Sequence, residues 1–139
     1  MSAPCIDIKD MLISAGIGTF KATSGWGIYV SEEPTAPDTV VTVYDTGGMD
    51  PNPKLLLDHP SVMVRIRGAA GDYSAAWAKA QAAKDALLGK TSASVNGTRY
   101  VGIWMKGDIN YLGRDDNRRP LFSLNFAITR EPASGTYRT

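Results

Sequence analysis

The stretch SVMVRIRGAAGDYSAAWAKAQAAKDALLG, residues 61–89, changes its period halfway along, and that change decides the fold class. Val62, Val64 and Ile66 alternate with Met63, Arg65 and Arg67, the period of two that puts successive side chains on opposite faces of a strand. One face meets a core, and the other carries both arginines in a more polar setting. Gly68 to Gly71 breaks the strand, Asp72 stands where it caps a helix beginning at Tyr73, and Gly89 follows the last helical residue, Leu88. Tyr73, Ala76, Trp77, Ala80, Ala83, Lys84 and Leu87 share one broad stripe of that helix, while Lys79, Gln81 and Asp85 lie away from its centre. The alanines let the helix approach a sheet closely, and Trp77 is expected to fill the wide part of the gap.

Towards the C-terminus, Asn96-Gly97 between Val95 and the Tyr100, Val101, Ile103, Trp104 run is a hairpin signal. From Leu121 to Ile128, Phe122, Leu124, Phe126 and Ile128 face opposite to Leu121, Ser123, Asn125 and Ala127, which gives a last strand with an aromatic-rich core face. Between these elements Gly113 to Arg119 reads as a charged turn, and from about residue 131 the chain is small and polar, a mobile tail. Towards the N-terminus, Val40, Val41, Val43 and Tyr44 form a strand, after which Gly47, Gly48, Pro51 and Pro53 predict a long loop from Thr46 to His59. Trp26 to Val30 is a brief strand closed by Glu33 and Pro34, the Pro34 to Asp38 segment is a loop, and residues from about Pro4 to Ala15 form a short amphipathic helix before Gly16. The expectation is a single α+β domain over residues 1–139. Its largely antiparallel sheet of about five or six strands is covered by the long helix and joined by a short N-terminal one.

Fifteen basic and fourteen acidic residues leave a net charge of +1, which argues against tight binding of DNA or RNA through phosphates. An apolar fraction of 43% with 21% charged residues excludes wholesale disorder and a membrane span. The first twenty residues carry Asp7 and Asp10 inside their apolar stretch, which does not read as a secretory signal, so folding in a reducing cytoplasm is expected. One cysteine, Cys5, and one histidine, His59, fall short of a zinc site, and no nucleophile motif accompanies His59, so no metal, cofactor or catalytic group is implied. Gly89-Lys90-Thr91 lacks the upstream glycine of a phosphate loop. Asp115 and Asp116 sit among Arg114, Arg118 and Arg119, which suits a salt network better than a catalytic carboxylate pair.

Several segments in order resemble the tail terminator, or minor capsid, family of long-tailed bacteriophages. They are the opening helix, Ile28-Tyr29-Val30 leading to Pro34 and Pro37, and Val43-Tyr44-Asp45-Thr46-Gly47-Gly48. His59 to Gly68 with the alanine-rich helix follows, and then Leu112-Gly113-Arg114-Asp115-Asp116 with Arg119-Pro120-Leu121-Phe122-Ser123-Leu124-Asn125-Phe126. The resemblance rests on order and spacing over nearly the whole chain, not on one motif. It implies a virion protein of the tail or neck, assembled in the host cytoplasm as a homo-oligomeric ring of six on the end of the tail tube. The ring would meet the tail tube protein on one side and a head completion or connector protein on the other, with DNA passing through the lumen without specific binding.

A ring built by head-to-tail contacts needs two different complementary patches on each subunit. The sequence offers the Thr46 to His59 loop with Met49, Leu55, Leu56 and Leu57, and the charged turn with Arg114, Asp115, Asp116, Arg118 and Arg119. Leu55 to Leu57 could equally fold back on their own domain. Arg65 and Arg67 either pair with nearby carboxylates, face the lumen, or grip a small anion. Another neck or baseplate connector and a small anionic-ligand module are the competing readings.

Overall fold

The alternation at Val62, Val64 and Ile66 forms β4 (His59–Arg67), which lies at the middle of the sheet and is hydrogen-bonded on both sides. A computed structural model describes residues 1–88, 90 and 93–131. In chain order the other elements are α1 (Pro4–Ser14), β1 (Thr19–Phe20), β2 (Gly27–Val30), β3 (Val40–Met49), α2 (Tyr73–Leu88), β5 (Ala93–Val95), β6 (Thr98–Met105), β7 (Asn110–Arg114) and β8 (Pro120–Glu131). The strand order is β1-β2-β3-β4-β8-β6-β5, and β7 pairs with β8. Val43, Val64 and Leu124 stand in register across β3, β4 and β8, as do Val41, Ile66 and Phe122. These residues are buried in one core with Ile8 and Leu12 of α1 and Ala76, Ala80, Ala83 and Leu87 of α2.

The α+β class stands, with four corrections. First, the described sheet has eight strands and is mixed, because β1 and β2, and β2 and β3, run parallel. Parallel neighbours cannot be joined by a tight turn. The segment containing Glu33 to Asp38 therefore has to cross from one strand end to the other, and it does so against the side of β4 that carries its arginines. Second, the long helix does not cover the sheet alone: α1 packs on β2, β3 and β4 while α2 packs on β4, β6 and β8.

Third, Trp77 does not fill the gap between helix and sheet; it is 43% exposed. The face of α2 that meets the core is Ala76, Ala80, Ala83 and Leu87, with Trp77 about 100° further round. The approach is close enough that a Cβ on Gly68 would fall 2.6 Å from the Ala76 Cβ. An indole has no room there. Fourth, Gly47 and Gly48 do not end β3: the strand continues through a register shift between Asp45 and Gly48 and pairs Met49 with His59. Gly48 has φ of 131°, and a Cβ there would lie 2.2 Å from the His59 carbonyl oxygen, so the glycine makes pairing possible where it was expected to prevent it.

The long loop accordingly shrinks to residues 50–58, and the charged turn to residues 115–119, since Gly113 and Arg114 belong to β7. At the C-terminal end Glu131 belongs to β8, and the rest of the expected mobile tail lies outside the described residues, as does the helix-ending Gly89. The Asn96-Gly97 hairpin forms as read, with φ of 51° and 80° at its two central residues. Asp72 caps α2 by accepting the Ala75 N–H at 3.2 Å. The start of α1 has no such local cap at Ala3; Asp45 of β3 supplies it by accepting the Cys5 N–H at 2.9 Å.

Candidate functional site

Beyond Asp45 the end of β3 and the connection to β4 form an exposed arm, while the β4 side still pairs with β8 at Ser61 and bridges to it at Asp58. Residues 45–51 and 53–56 are exposed, and Met49 (73%), Leu55 (57%) and Leu56 (42%) present apolar side chains to solvent. The arm has internal order: Asn52 Oδ1 accepts the backbone N–H groups of Lys54 and Leu55. Its base is tied to the sheet by reciprocal backbone hydrogen bonds between Asp58 and Arg130 and by a 3.2 Å contact between His59 Nδ1 and Thr129 Oγ1. Leu57 is partly buried, whereas Leu55 and Leu56 do not fold back onto the core.

The charged residues of the two sequence candidates divide into two groups. Arg67 and Arg119 are buried, and both reach the segment that crosses from β2 to β3. Arg67 donates to the carbonyls of Pro37 (2.7 Å) and Asp38 (3.0 Å) and to Glu33 Oε1, while Arg119 donates to the Thr35 carbonyl (2.7 Å), to Asp38 and to Asp115 Oδ2 (2.7 Å). Arg65 forms an ion pair with the other Glu33 oxygen at 2.8 Å. Burial, and then the neighbouring Arg119 charge, lower the Arg67 pKa, opposed by Glu33 and Asp115. Desolvation acts to raise the Asp115 pKa, but the backbone N–H and guanidinium of Arg119 outweigh it and the carboxyl is lowered. These groups hold the crossing segment and the charged turn to the sheet.

Arg114, Asp116 and Arg118 form the second group: they are exposed, and among the described residues none has a side-chain partner. Arg114 and Arg118 line a cleft of about 280 Å³ with Ala70 and Gly71. Tyr73 of α2 and Tyr111 of β7 adjoin it, each about half exposed, with ring centroids 5.2 Å apart and edge to face. Phe122 closes the aromatic cluster from the core side. Tyr73, Trp77 and Lys84 lie on one side of α2, the side that meets Tyr111 at one end and ion-pairs with Asp108 at the other.

Of the cleft, only Arg114 and Arg118 were marked in the sequence, because Tyr111 lies in a strand that neither alternation nor a turn motif announced. Cys5 is buried, and burial raises its thiol pKa, followed by the hydrogen bond and charge of Asp45. His59 is partly buried at the base of the arm. Among the described residues no group of three or more histidine, cysteine, aspartate or glutamate side chains could hold a metal ion, and no helix is long and apolar enough to cross a membrane.

A family model described as bacteriophage tail terminator protein matches residues 11–132. None of the curated proteins compared by sequence matches. Among solved structures, a chain from the virion of a native gene transfer agent particle aligns with a TM-score of 0.66 over 94% of this chain and 96% of that one, at 18% identity. At that identity the likeness is one of fold.

Proposed function

Because this chain belongs to the bacteriophage tail terminator family, a family of structural virion proteins, we propose that it caps the tail tube as a ring of six copies. In that position it ends tube polymerisation and offers the surface on which a head completion or connector protein docks. The observation that carries the reading is the family match, which spans all the described strands, the whole of α2 and the end of α1 from Met11. The exposed arm with Met49, Leu55 and Leu56 supports it, since a subunit of a larger assembly needs apolar surface that a free monomer does not. So do the charges of Arg114, Asp116 and Arg118 beside the cleft, which have no side-chain partner among the described residues.

The ring number and the two partners rest on the family resemblance. DNA would pass through the lumen without specific recognition, in keeping with a net charge of +1. The test is a particle-producing strain from which this gene is deleted. Tails of uncontrolled length that fail to join heads are expected, and a plasmid copy should restore both length and joining. Tails of normal length, joined to heads without the protein, would overturn the reading.

A further inference from the structure

The arm and the Arg114–Arg118 cleft lie at opposite ends of the sheet. The arm grows from the end of β4 where Ser61 pairs with Ala127, and the cleft lies at the end where Arg67 pairs with Leu121. Arg114 is in register with Pro120, one residue further on. Six residues of extended strand separate the two pairs, a span of about 20 Å, so an arm tied down at Asp58 and His59 does not reach its own cleft.

The two surfaces are complementary in both charge and polarity. On the arm, Asp50 and the Lys54 ammonium are exposed and, among the described residues, without a partner. They flank the apolar Met49, Leu55 and Leu56. The cleft offers the reverse: Arg114 and Arg118 as cations, Asp116 as the anion, and Tyr73 and Tyr111 as a half-exposed aromatic wall. Because arm and cleft are different surfaces at opposite ends of the sheet, a head-to-tail contact between them leaves one arm and one cleft free at the ends of an open chain of copies, whereas reciprocal exchange between two copies would leave none.

We propose that the occupant of the cleft is the arm of a second copy of this chain. Asp50 meets the forks of Arg114 and Arg118, Lys54 meets Asp116, and the arm's apolar side chains cover Tyr73 and Tyr111. Repeated around the assembly, this head-to-tail contact would close the ring. The inference rests on the ring reading above and specifies which surfaces make it.

The experiment uses assembled tails that carry the variant Asp50→Cys with Arg114→Cys, oxidised and run on a non-reducing gel. Cys5, buried and with a raised pKa, is a poor competitor. A ladder of covalent oligomers extending beyond two copies is expected, with neither single variant giving it. In parallel, Asp50→Arg should weaken self-association by roughly tenfold or more. Adding Arg114→Asp and Arg118→Asp to the same chain should restore it, with melting unchanged in every variant because all three positions are exposed.

A ladder that stops at two copies would mean reciprocal exchange of arms and would overturn the head-to-tail contact. Tails that retain the protein in full amount but give neither ladder nor charge-swap rescue would overturn the arm-to-cleft pairing and leave the ring intact. Wild-type chain missing from purified tails would remove the ring reading and this inference together.

Discussion

Asp7 lies on α1 with no exposed surface, and its carboxylate accepts hydrogen bonds from Tyr100 and, at 2.7 Å, from Asn96 Nδ2. Arg130 sits 3.5 Å away and donates to the Tyr100 hydroxyl and the Ser2 carbonyl. Burial, followed by the Asp7 hydrogen bond, drives the Tyr100 phenol well above its ordinary pKa. This network fastens α1 to β6 and β8. The sequence pattern ends the last strand at Ile128, but β8 continues to Glu131, so Arg130 extends the buried face of Phe122 to Ile128, and nothing local in the sequence marks Asp7 as its partner. Asp7→Ala strands a buried guanidinium and should lower stability by about 3 to 5 kcal/mol, measured by urea unfolding. A loss below 1 kcal/mol would show that the site relaxes or hydrates freely.

Asp115 makes a pH prediction. Its folded pKa is lowered, so its contribution to stability is complete above the unfolded value of about 3.9 and is lost as pH falls through the lowered one. The urea midpoint of the wild type should therefore drop more between pH 5 and pH 3 than that of Asp115→Asn. Equal drops would show that another carboxyl governs the acid limb. The charged turn is more than a surface salt network, because Arg119 is buried at 5% exposure. Its guanidinium holds the crossing segment, so its loss unfastens a connection as well as a charge.

Among the elements, α2 was the most legible, because a cap, an apolar stripe and sixteen helical residues all agree. What its period could not tell was the centre of the buried stripe. Tyr73 and Trp77 are large aromatic side chains on the same broad stripe as Leu87, and the closeness of approach to the sheet selects the alanine row and leaves the indole on the rim. Leu87→Ala should cost about 2 to 5 kcal/mol, and Trp77→Ala well under the 3 to 5 kcal/mol typical of a buried aromatic. Melting curves of the two variants rank them. If Trp77→Ala proved the more damaging, the indole would be carrying core contacts that its exposure denies.

At the scale of the whole molecule, the buried core lies between the sheet and the two helices, and the exposed arm stands at one end of the sheet. Shortening residues 50–57 to a two-residue Asn-Gly turn should leave the melting temperature of the isolated chain within a few degrees. The same variant should fail to complement a deletion strain in tail length. A large fall in melting would mean that the arm packs on the core after all.

The sequence by itself determined the elements whose signal lies within a few residues: β4 and β8 from period two, α2 from its cap and stripe, the Asn96-Gly97 hairpin from its turn chemistry. It also carried the order of segments by which the family is identified. Only the tertiary structure decided that β1, β2 and β3 run parallel, that Arg67 and Arg119 bind the crossing segment, that Gly48 sustains a strand, and that arm and cleft stand at opposite ends. The physical reason is range. Alternation and capping are set by neighbours up to about four residues apart, whereas each of these features depends on which distant backbone or carboxylate lies opposite, and that partner exists only once the sheet has closed around it.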